Sequence, residues 1–327
     1  MRKMMTASLL VAVLSLPITI AWALEPEVQA AKDEGMRLWG ISEWIKMQPY
    51  LEQAADAGDV EAMYYLGEAT RLLDRGLSRR AMAWYLQAAE QGDVHAMLRL
   101  FQGGACIAGD RCPEGYEDWH HAALAVAQPK AEAGDSDAML LMFDIYRMFD
   151  QPRRAGDWLE RAAEAGQPEA QTILGNQILD GRGWYLTNGR RLSAAEAWFR
   201  QAAEQRYVPA MDRLAATLSN LGRHQEAWTW FEAASELGHI NGRRWLGSCY
   251  MEPEKNAVCQ VEKDLVKGWA IYYAIHDELG NTSSARSLSL RSHMLDESKQ
   301  QEAETLAERE WIGREPPLSN FPPRFGY

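Results

Sequence analysis

The sequence predicts an all-α fold, an α/α solenoid superhelix of about seven to eight stacked helix pairs. Three observations lead to this prediction: a short phrase of small residues recurs along the chain, an aromatic residue precedes most copies, and a Gly follows closely. The length agrees, because 327 residues with 47% hydrophobic side chains are more than one compact globule of ordinary size. Two domains or one extended array are therefore expected.

The recurring phrase consists of two small residues, a short gap, Gly, and another small residue four positions after the Gly. Its first copy is Ala54-Ala55, Gly58 and Ala62. The Gly position returns at residues 92, 134, 166, 206, 238 and 280, although residue 206 is Arg and the last copy is degraded. Successive copies are 32 to 42 residues apart, a period typical of helical repeats.

The aromatic residues before the phrase indicate a helix. Small, aromatic and small residues at these offsets fall on one helical face, so Trp84, Trp158, Trp198 and Trp230 are expected in the core. A second amphipathic stretch follows each Gly and carries a Leu-Gly pair in three copies, of which Leu66-Gly67 is the first. The Gly at the turn suits a left-handed helix end, and the second Gly allows two helices to approach closely. Each unit is therefore a helix pair.

The full pattern, A-x-x-W-Y-x-x-A-A-x-x-G-x-x-x-A-x-x-x-L-G, resembles the SEL-like repeat, a relative of the tetratricopeptide repeat, over residues 47–295. Phe143, Arg206 and Ala215 depart from it locally. The resemblance implies that the helices after each Gly line the concave side of the superhelix. These helices are expected at residues 59–73, 93–104, 135–149, 167–180, 207–220, 239–250 and 281–295.

Shorter segments flank the repeats. Residues 24–46 are expected to form an N-terminal capping region, and residues 296–311, rich in Glu and Gln, a C-terminal capping helix. Residues 312–327 hold two Pro-Pro pairs, which predict an extended tail, either docked on the protein or disordered. The aromatic residues of this tail are Phe321, Phe325 and Tyr327.

Residues 1–23 have the features of a secretory signal peptide. Arg2 and Lys3 precede a short apolar run, and Ala21-Trp22-Ala23 supplies the small residues of a cleavage site. Export to the periplasm with cleavage after Ala23 is expected, and an uncleaved anchor is the alternative. No stable membrane insertion is expected after cleavage, because no second apolar stretch approaches the length of a membrane span.

The net charge restricts the choice of partner. The chain carries a formal charge of −12 at neutral pH. Such a chain repels nucleic acid and anionic lipid, so neither is expected to be its main partner. A protein with a basic surface would instead be attracted.

The four cysteines permit three disulfide pairings. An even number in an exported chain favours disulfide bonds, and local spacing favours Cys106 with Cys112 and Cys249 with Cys259. A zinc site is the weaker alternative, because neither Cys-to-Cys segment contains His or has zinc-finger spacing.

Sequence signals of catalysis are missing. The chain contains no phosphate-binding loop, dinucleotide fingerprint, H-E-x-x-H or G-x-S-x-G motif. The adjacent pair His120-His121 is a poor metal site, because neighbouring residues on a helix point about 100° apart. We therefore expect no cofactor, no metal and no enzymatic activity.

Aligning each Leu-Gly pair with the tetratricopeptide pattern places fourteen side chains towards the groove, and they are candidates for partner binding, although an ordinary solvated helix face is the alternative for each. They are Glu61, Tyr64, Glu68, Arg71, His95, Gln102, Asp137, Asp144, Arg147, Glu169, Asn176, Asn241, Arg244 and Ser248. The acid-rich first half is expected to attract a basic partner, with Glu68 and Asp144 at the surface. Trp184-Tyr185, in a Gly-rich connection, is the rival site, and one of its two rings is expected to be exposed.

Three functions remain open. Export, two local Cys pairs and an aromatic Pro-rich end make the chain similar in organisation to immunity proteins of type VI secretion lipase effectors. This similarity implies a phospholipase-type toxin as the partner. The alternatives are a periplasmic adaptor or regulator of envelope signalling and, more weakly, an enzyme that binds cell-wall fragments.

Overall fold

The structure is a computed structural model that describes residues 24–107 and 111–325. The expected signal peptide at residues 1–23 and the terminal Tyr327 lie outside the described residues. Within them, no helix has both the length and the apolar character needed to cross a membrane.

Sixteen α-helices follow one another in the described part of the chain, which contains no β-strand. In order, they are α1 (Pro26–Gly40), α2 (Trp44–Asp56), α3 (Val60–Leu73), α4 (Arg79–Glu90), α5 (Val94–Gln102), α6 (Trp119–Glu132), α7 (Ser136–Met148), α8 (Pro152–Glu164), α9 (Pro168–Leu179), α10 (Asn188–Glu204), α11 (Val208–Asn220), α12 (His224–Glu236), α13 (Ile240–Met251), α14 (Leu265–Leu279), α15 (Thr282–Ser289) and α16 (Glu297–Glu310).

From α1 to α15, each helix packs against the next along the chain, and α16 packs back onto α14. One continuous hydrophobic core runs through the stack. The predicted all-α solenoid is therefore confirmed. The second helices of all seven pairs begin within one residue of their expected positions, although α15 ends at Ser289, six residues earlier than expected.

A left-handed residue ends the first helix of each pair. The backbone φ angle lies between 58° and 100° at all seven copies of the Gly position in the recurring phrase, from Gly58 to Gly280. Arg206 keeps this conformation with a φ of 64°, so the departure from Gly changes the residue and not the turn. A side chain in this region costs roughly 1–2 kcal/mol, which explains why Gly fills the other six positions.

The residue after the left-handed turn starts the second helix. The carboxylates of Asp59, Asp93 and Asp135 accept hydrogen bonds from backbone N–H groups in the first turns of α3, α5 and α7. Gln167 and His239 do the same for α9 and α13. These caps satisfy N–H groups that a helix leaves unpaired.

The Gly of the Leu-Gly pair lies against the aromatic residue of the following helix. A Cβ atom at Gly67 would lie 2.5 Å from Cε1 of Tyr85, and one at Gly175 would overlap the ring of Phe199. The missing side chain therefore allows α3 to reach α4, and α9 to reach α10, as the sequence predicted.

The four tryptophans pack against the core, as expected, but none of them is fully buried. All four are half-buried at the margin of the core, and the residue after each Trp is buried instead. Adjacent helical residues point about 100° apart, so only one of each pair shares the face of the Ala residues. The buried residues are Tyr85, Leu159, Phe199 and Phe231.

Both expected disulfide bonds are present. Cys106 is bonded to Cys112 in the connection after α5, and Cys249 at the end of α13 is bonded to Cys259. Each bond fastens the segment that follows a second helix. No cysteine is left free.

Adjacent positions 198 and 199 provide a matched test of the core assignment. Phe199→Ala should lower the free energy of unfolding by about 3–5 kcal/mol, because it empties a fully buried position. Trp198→Ala should cost no more than about 2 kcal/mol, because that ring is half-buried. Urea denaturation measures both, and an equal or larger loss for Trp198→Ala would contradict the assignment.

Candidate groove and tail site

Helices α5, α7, α9 and α11, all second helices of their pairs, contribute side chains to one groove. Helix α3 joins this groove through its contact with the tail. The tail that follows α16 runs along this groove. It closes one side of a cavity of about 900 Å³ between α7, α8, α9 and α11. The site therefore has two parts, the docked tail and the open cavity beside it.

The tail is held first by the C-terminal repeats. The backbone N–H of Gly313 donates to Oε1 of Glu278 in α14 at 3.2 Å. Ser319 then forms two backbone hydrogen bonds with the turn between α12 and α13: its N–H donates to the carbonyl of Gly238 at 2.9 Å, and its carbonyl accepts from Ile240 at 3.1 Å. An extended segment is thus fixed through its main chain.

The next tail residue contacts the other end of the solenoid. The N–H of Asn320 donates to the carbonyl of Gly40, the last residue of α1, at 2.7 Å. Consecutive Cα atoms are about 3.8 Å apart, so the end of α1 and the α12–α13 turn lie within roughly 10 Å of each other. The superhelix therefore brings its first helix back beside its thirteenth.

Two glycines make room for this crossing. A Cβ atom at Gly40 would lie 2.7 Å from Oγ of Ser319. A Cβ atom at Gly238 would overlap the carbonyl oxygen of Pro317. Gly238 therefore has two roles, the left-handed turn and contact with the tail.

The end of the tail is bound by α3 and α5. Nη2 of Arg324 donates to Oδ2 of Asp93 at 2.7 Å, and its Nη1 lies 3.9 Å from Oε1 of Glu61. The carbonyl of Arg324 accepts a 2.6 Å hydrogen bond from the hydroxyl of Tyr64. The guanidinium of Arg99 lies 4.3 Å from the centre of the Phe325 ring. Of the two states expected for the tail, the structure has the docked one.

Burial and charge affect the ionisable groups around this contact. Burial raises the pKa of Asp93, against the opposing effect of the Arg324 charge. Burial, followed by the positive charges of Arg324 and Arg99, lowers the pKa of His95 to about 3. His95 is therefore neutral at physiological pH, and its ring lies 5.4 Å from that of Phe325.

Glu68 is part of an internal ion cluster, so the expectation that it lies at the surface is wrong. Its side chain is only 2% exposed. It accepts from Arg99 Nε at 2.6 Å, from Arg71 Nη2 at 2.7 Å and from the Tyr85 hydroxyl at 2.8 Å. The cluster joins α3, α4 and α5, and Arg99 also donates to Gln102. Glu68 therefore lies at an interface between helices, whereas the alignment predicted that it faces the groove.

The middle group of predicted residues surrounds the cavity. Asp144, Arg147, Glu169 and Asn176 line it, together with Phe321, Pro323 and Phe325 of the tail. Asp144 is buried, so the expectation that it lies at the surface is wrong, and it accepts from Arg147 of the same helix at 2.9 Å. Asp137 on the same helix remains exposed.

Burial also raises the pKa values of two acids that line the cavity. It raises the pKa of Asp144 to about 7, although the nearby Arg147 charge opposes this shift. Burial raises the pKa of Glu169 as well, and the charge of Asp137 adds to that effect. Asp144 therefore changes its charge close to neutral pH.

The last group of predicted residues lies apart. Arg244 and Ser248 line a smaller cavity of about 350 Å³ beside the Cys249–Cys259 bond. Asn241 is exposed, and its side-chain oxygen lies 3.5 Å from Nη1 of Arg244. The fourteen predicted residues thus do not form one open surface.

The rival loop has the expected form. Trp184 is 83% exposed, and Leu186 close by is 62% exposed. Tyr185 is half-buried and packs against the core. One ring of the pair is thus exposed and the other packed.

The histidines considered as metal ligands have structural partners instead. No group of three or more His, Cys, Asp or Glu side chains in the described residues is arranged to hold a metal ion. His120 is buried, stacks on Phe149 and binds the carbonyl of Ile145, whereas His121 contacts Asp118. The two imidazoles therefore serve separate contacts.

The alignment included Glu61, Tyr64 and His95, which contact the tail. It missed Asp93 and Arg99, which also bind the tail, and several residues that line the cavity. Asp93 was recognisable only as a residue after a turn, and Arg324 only as a basic residue between aromatic ones. Tyr207 and Arg213, which line the cavity, occur in the repeat that departs from the pattern. The Pro-rich aromatic composition of the tail was the one available signal.

The raised pKa of Asp144 predicts a dependence of stability on pH. Its folded pKa of about 7 exceeds its ordinary value of 3.8, so protonation of Asp144 stabilises the folded state. This stabilisation is fully present below pH 3.8 and is lost as pH rises through 7. Asp144→Asn should reduce the loss of unfolding free energy between about pH 5 and about pH 8 by at least about 1 kcal/mol. Denaturation at both pH values measures this, with exposed Asp157→Asn as the control. An unchanged loss in Asp144→Asn would contradict the assignment.

Comparison with known proteins gives partial matches. No family model matches the chain. Over 161 residues, 40% of this chain, it is 27% identical to eukaryotic elongation factor 2 kinase of Mus musculus, and over 159 residues it is 28% identical to that of Homo sapiens. The chain spans only 22% of the length of either kinase.

Three solved structures are similar to this chain over most of its length. A protective antigen of uropathogenic Escherichia coli with an SLR fold is 22% identical, with a TM-score of 0.49 over 87% of this chain and 61% of that one. A Sel1 repeat protein from Oxalobacter formigenes is 18% identical, with a TM-score of 0.36 over 85% and 98%. An immunity protein from Pseudomonas aeruginosa is 20% identical, with a TM-score of 0.40 over 79% and 83%.

Proposed function

We propose that this chain is an exported, non-catalytic solenoid that binds another protein in its groove. The observation that carries the proposal is the open cavity of about 900 Å³ between α7, α8, α9, α11 and the tail. Its lining combines aromatic rings, such as Phe143 and Tyr207, with arginines, such as Arg153 and Arg213. Aromatic and Arg side chains are enriched at the centres of protein interfaces.

The cavity is a better candidate than the acid-rich N-terminal half of the groove. In that half, Glu61 is 2.9 Å from Lys32, and Asp93 is 2.7 Å from Arg324. Glu68 is paired with Arg71 and Arg99. These acids already have cations within the chain, so they offer little charge to a basic partner.

We further propose that the partner is a phospholipase-type toxin effector and that the chain is its immunity protein. The support is the organisation of the sequence, which combines an expected signal peptide, two local Cys pairs and an aromatic Pro-rich end. The two Cys pairs form disulfides of the kind found in oxidising compartments. A protein held in the groove would be blocked sterically, which requires no catalytic group in the chain. A periplasmic adaptor with a different partner is the alternative outcome of the tests below.

The toxin assignment is tested by protection. Cells that export a phospholipase-type effector should survive when they co-express this chain with residues 1–23 and should die when they express it without them. Purified chain should bind the effector and inhibit lipid hydrolysis. Binding of a different envelope protein, without protection, would favour the adaptor and contradict the immunity role.

The site is tested by two pairs of substitutions in one binding assay. Arg153→Glu with Arg213→Glu reverses two exposed charges on the cavity lining and should weaken partner binding by about tenfold or more. Trp184→Ala with Leu186→Ala removes the exposed side chains of the rival loop and should leave binding within about twofold. Melting curves check that both variants fold. Loss of binding in the loop variant alone would place the contact at the edge of the solenoid.

A further inference from the structure

The last residues of the tail are bound as a peptide ligand is bound. Hydrogen bonds hold the backbone at Ser319, Asn320 and Arg324, and separate contacts hold the side chains of Arg324 and Phe325. Main-chain hydrogen bonds that fix an extended segment, with side-chain contacts that select its sequence, are the usual elements of peptide recognition. The tail therefore shows what kind of segment this part of the groove accepts.

We propose that the surface formed by Glu61, Tyr64, Asp93, His95 and Arg99, here called the tail site, recognises an extended segment in which arginine is followed by an aromatic residue. Arg324-Phe325 of the chain itself is its resident and displaceable occupant. A protein partner that carries such a segment would replace the tail. This inference goes beyond the proposed function and does not require the partner to be a toxin.

The arginine is selected by a buried acid. The carboxylate of Asp93 is 5% exposed and lies 2.7 Å from the guanidinium of Arg324. A buried carboxylate without a cation is costly, so the tail site favours any occupant that supplies one. The guanidinium also lies 5.5 Å from the centre of the Tyr64 ring, a contact that favours its planar, weakly hydrated group.

The aromatic residue is selected by two neighbouring groups. The Phe325 ring lies 4.3 Å from the Arg99 guanidinium and 5.4 Å from the His95 ring. Arg99 is itself fixed by two hydrogen bonds to Glu68, at 2.6 and 3.2 Å, so this wall of the site is preformed. The same Phe325 ring lines the open cavity, so a protein held there lies next to the tail site.

The test measures binding of a free peptide to the full chain. A fluorescein-labelled peptide with the sequence of residues 318–327 is titrated against the wild type and against the double variant Arg324→Glu/Phe325→Ala. The variant should release its tail and bind the peptide at least about tenfold more tightly than the wild type, in which the tethered tail competes at high effective concentration. The peptide should also raise the melting temperature of the variant.

Two controls establish what is recognised. A peptide with Glu in place of its arginine should bind the variant at least about tenfold more weakly. Adding Asp93→Asn to the variant should weaken binding of the original peptide to the same degree, because Asn removes the charge and still caps α5.

Several outcomes would overturn the inference. The first is no saturable binding to a variant that keeps its helical circular dichroism. Equal affinity for wild type and variant would place the peptide elsewhere, and equal affinity for the two peptides would exclude selection of arginine. A wild-type mass of two chains that falls to one in the variant would show that a second copy supplies the tail. No toxin is used, so failure here and failure of the protection assay are distinguishable.

Discussion

Two adjacent tail residues connect the first helix of the superhelix to the turn between α12 and α13. Ser319 forms hydrogen bonds with the turn between α12 and α13, and Asn320 donates to the end of α1. Because the two residues are neighbours in the chain, the distance between Gly40 and Gly238 is fixed within narrow limits. A helical-repeat array whose units contact only their neighbours would otherwise bend freely, so the tail constrains the curvature of the groove.

This constraint divides the groove into parts with different roles. The N-terminal part is filled by Arg324 and Phe325, and its acids are paired within the chain. The central part remains open, and tail side chains form part of its lining. The tail therefore covers one part of the groove and helps to build the lining of the other. Under the proposed function, substitutions in the tail affect binding through the curvature of the solenoid as well as through direct contact.

The helix pairs could be predicted because their causes are local. Left-handed turns, caps and the packing of small residues against rings all depend on residues within one or two repeats. The choice between Trp198 and Phe199 was harder, because both are apolar and only the direction of the helical face distinguishes them. The structure of Arg206, which keeps the left-handed turn without Gly, shows that the pattern tolerates a modest local cost.

The groove could be predicted only in outline. Glu68 and Asp144 are polar residues on helices that line the groove, yet both are buried. Repeat alignment gives the helix but not the neighbours of a side chain. The contact of Arg324 with Asp93 joins residues 231 positions apart, so no local pattern could reveal it.

The docked tail is the central claim, and hydrogen–deuterium exchange at the Ser319 and Asn320 amides tests it most directly. Gly238→Ala and Gly92→Ala both place a side chain at a positive φ, 80° and 94°, but only the Cβ at residue 238 meets the tail. The two amides should be protected in the wild type and in Gly92→Ala, and should exchange about tenfold faster or more in Gly238→Ala. Unprotected tail amides in the wild type, or equal exchange in the two variants, would contradict the account.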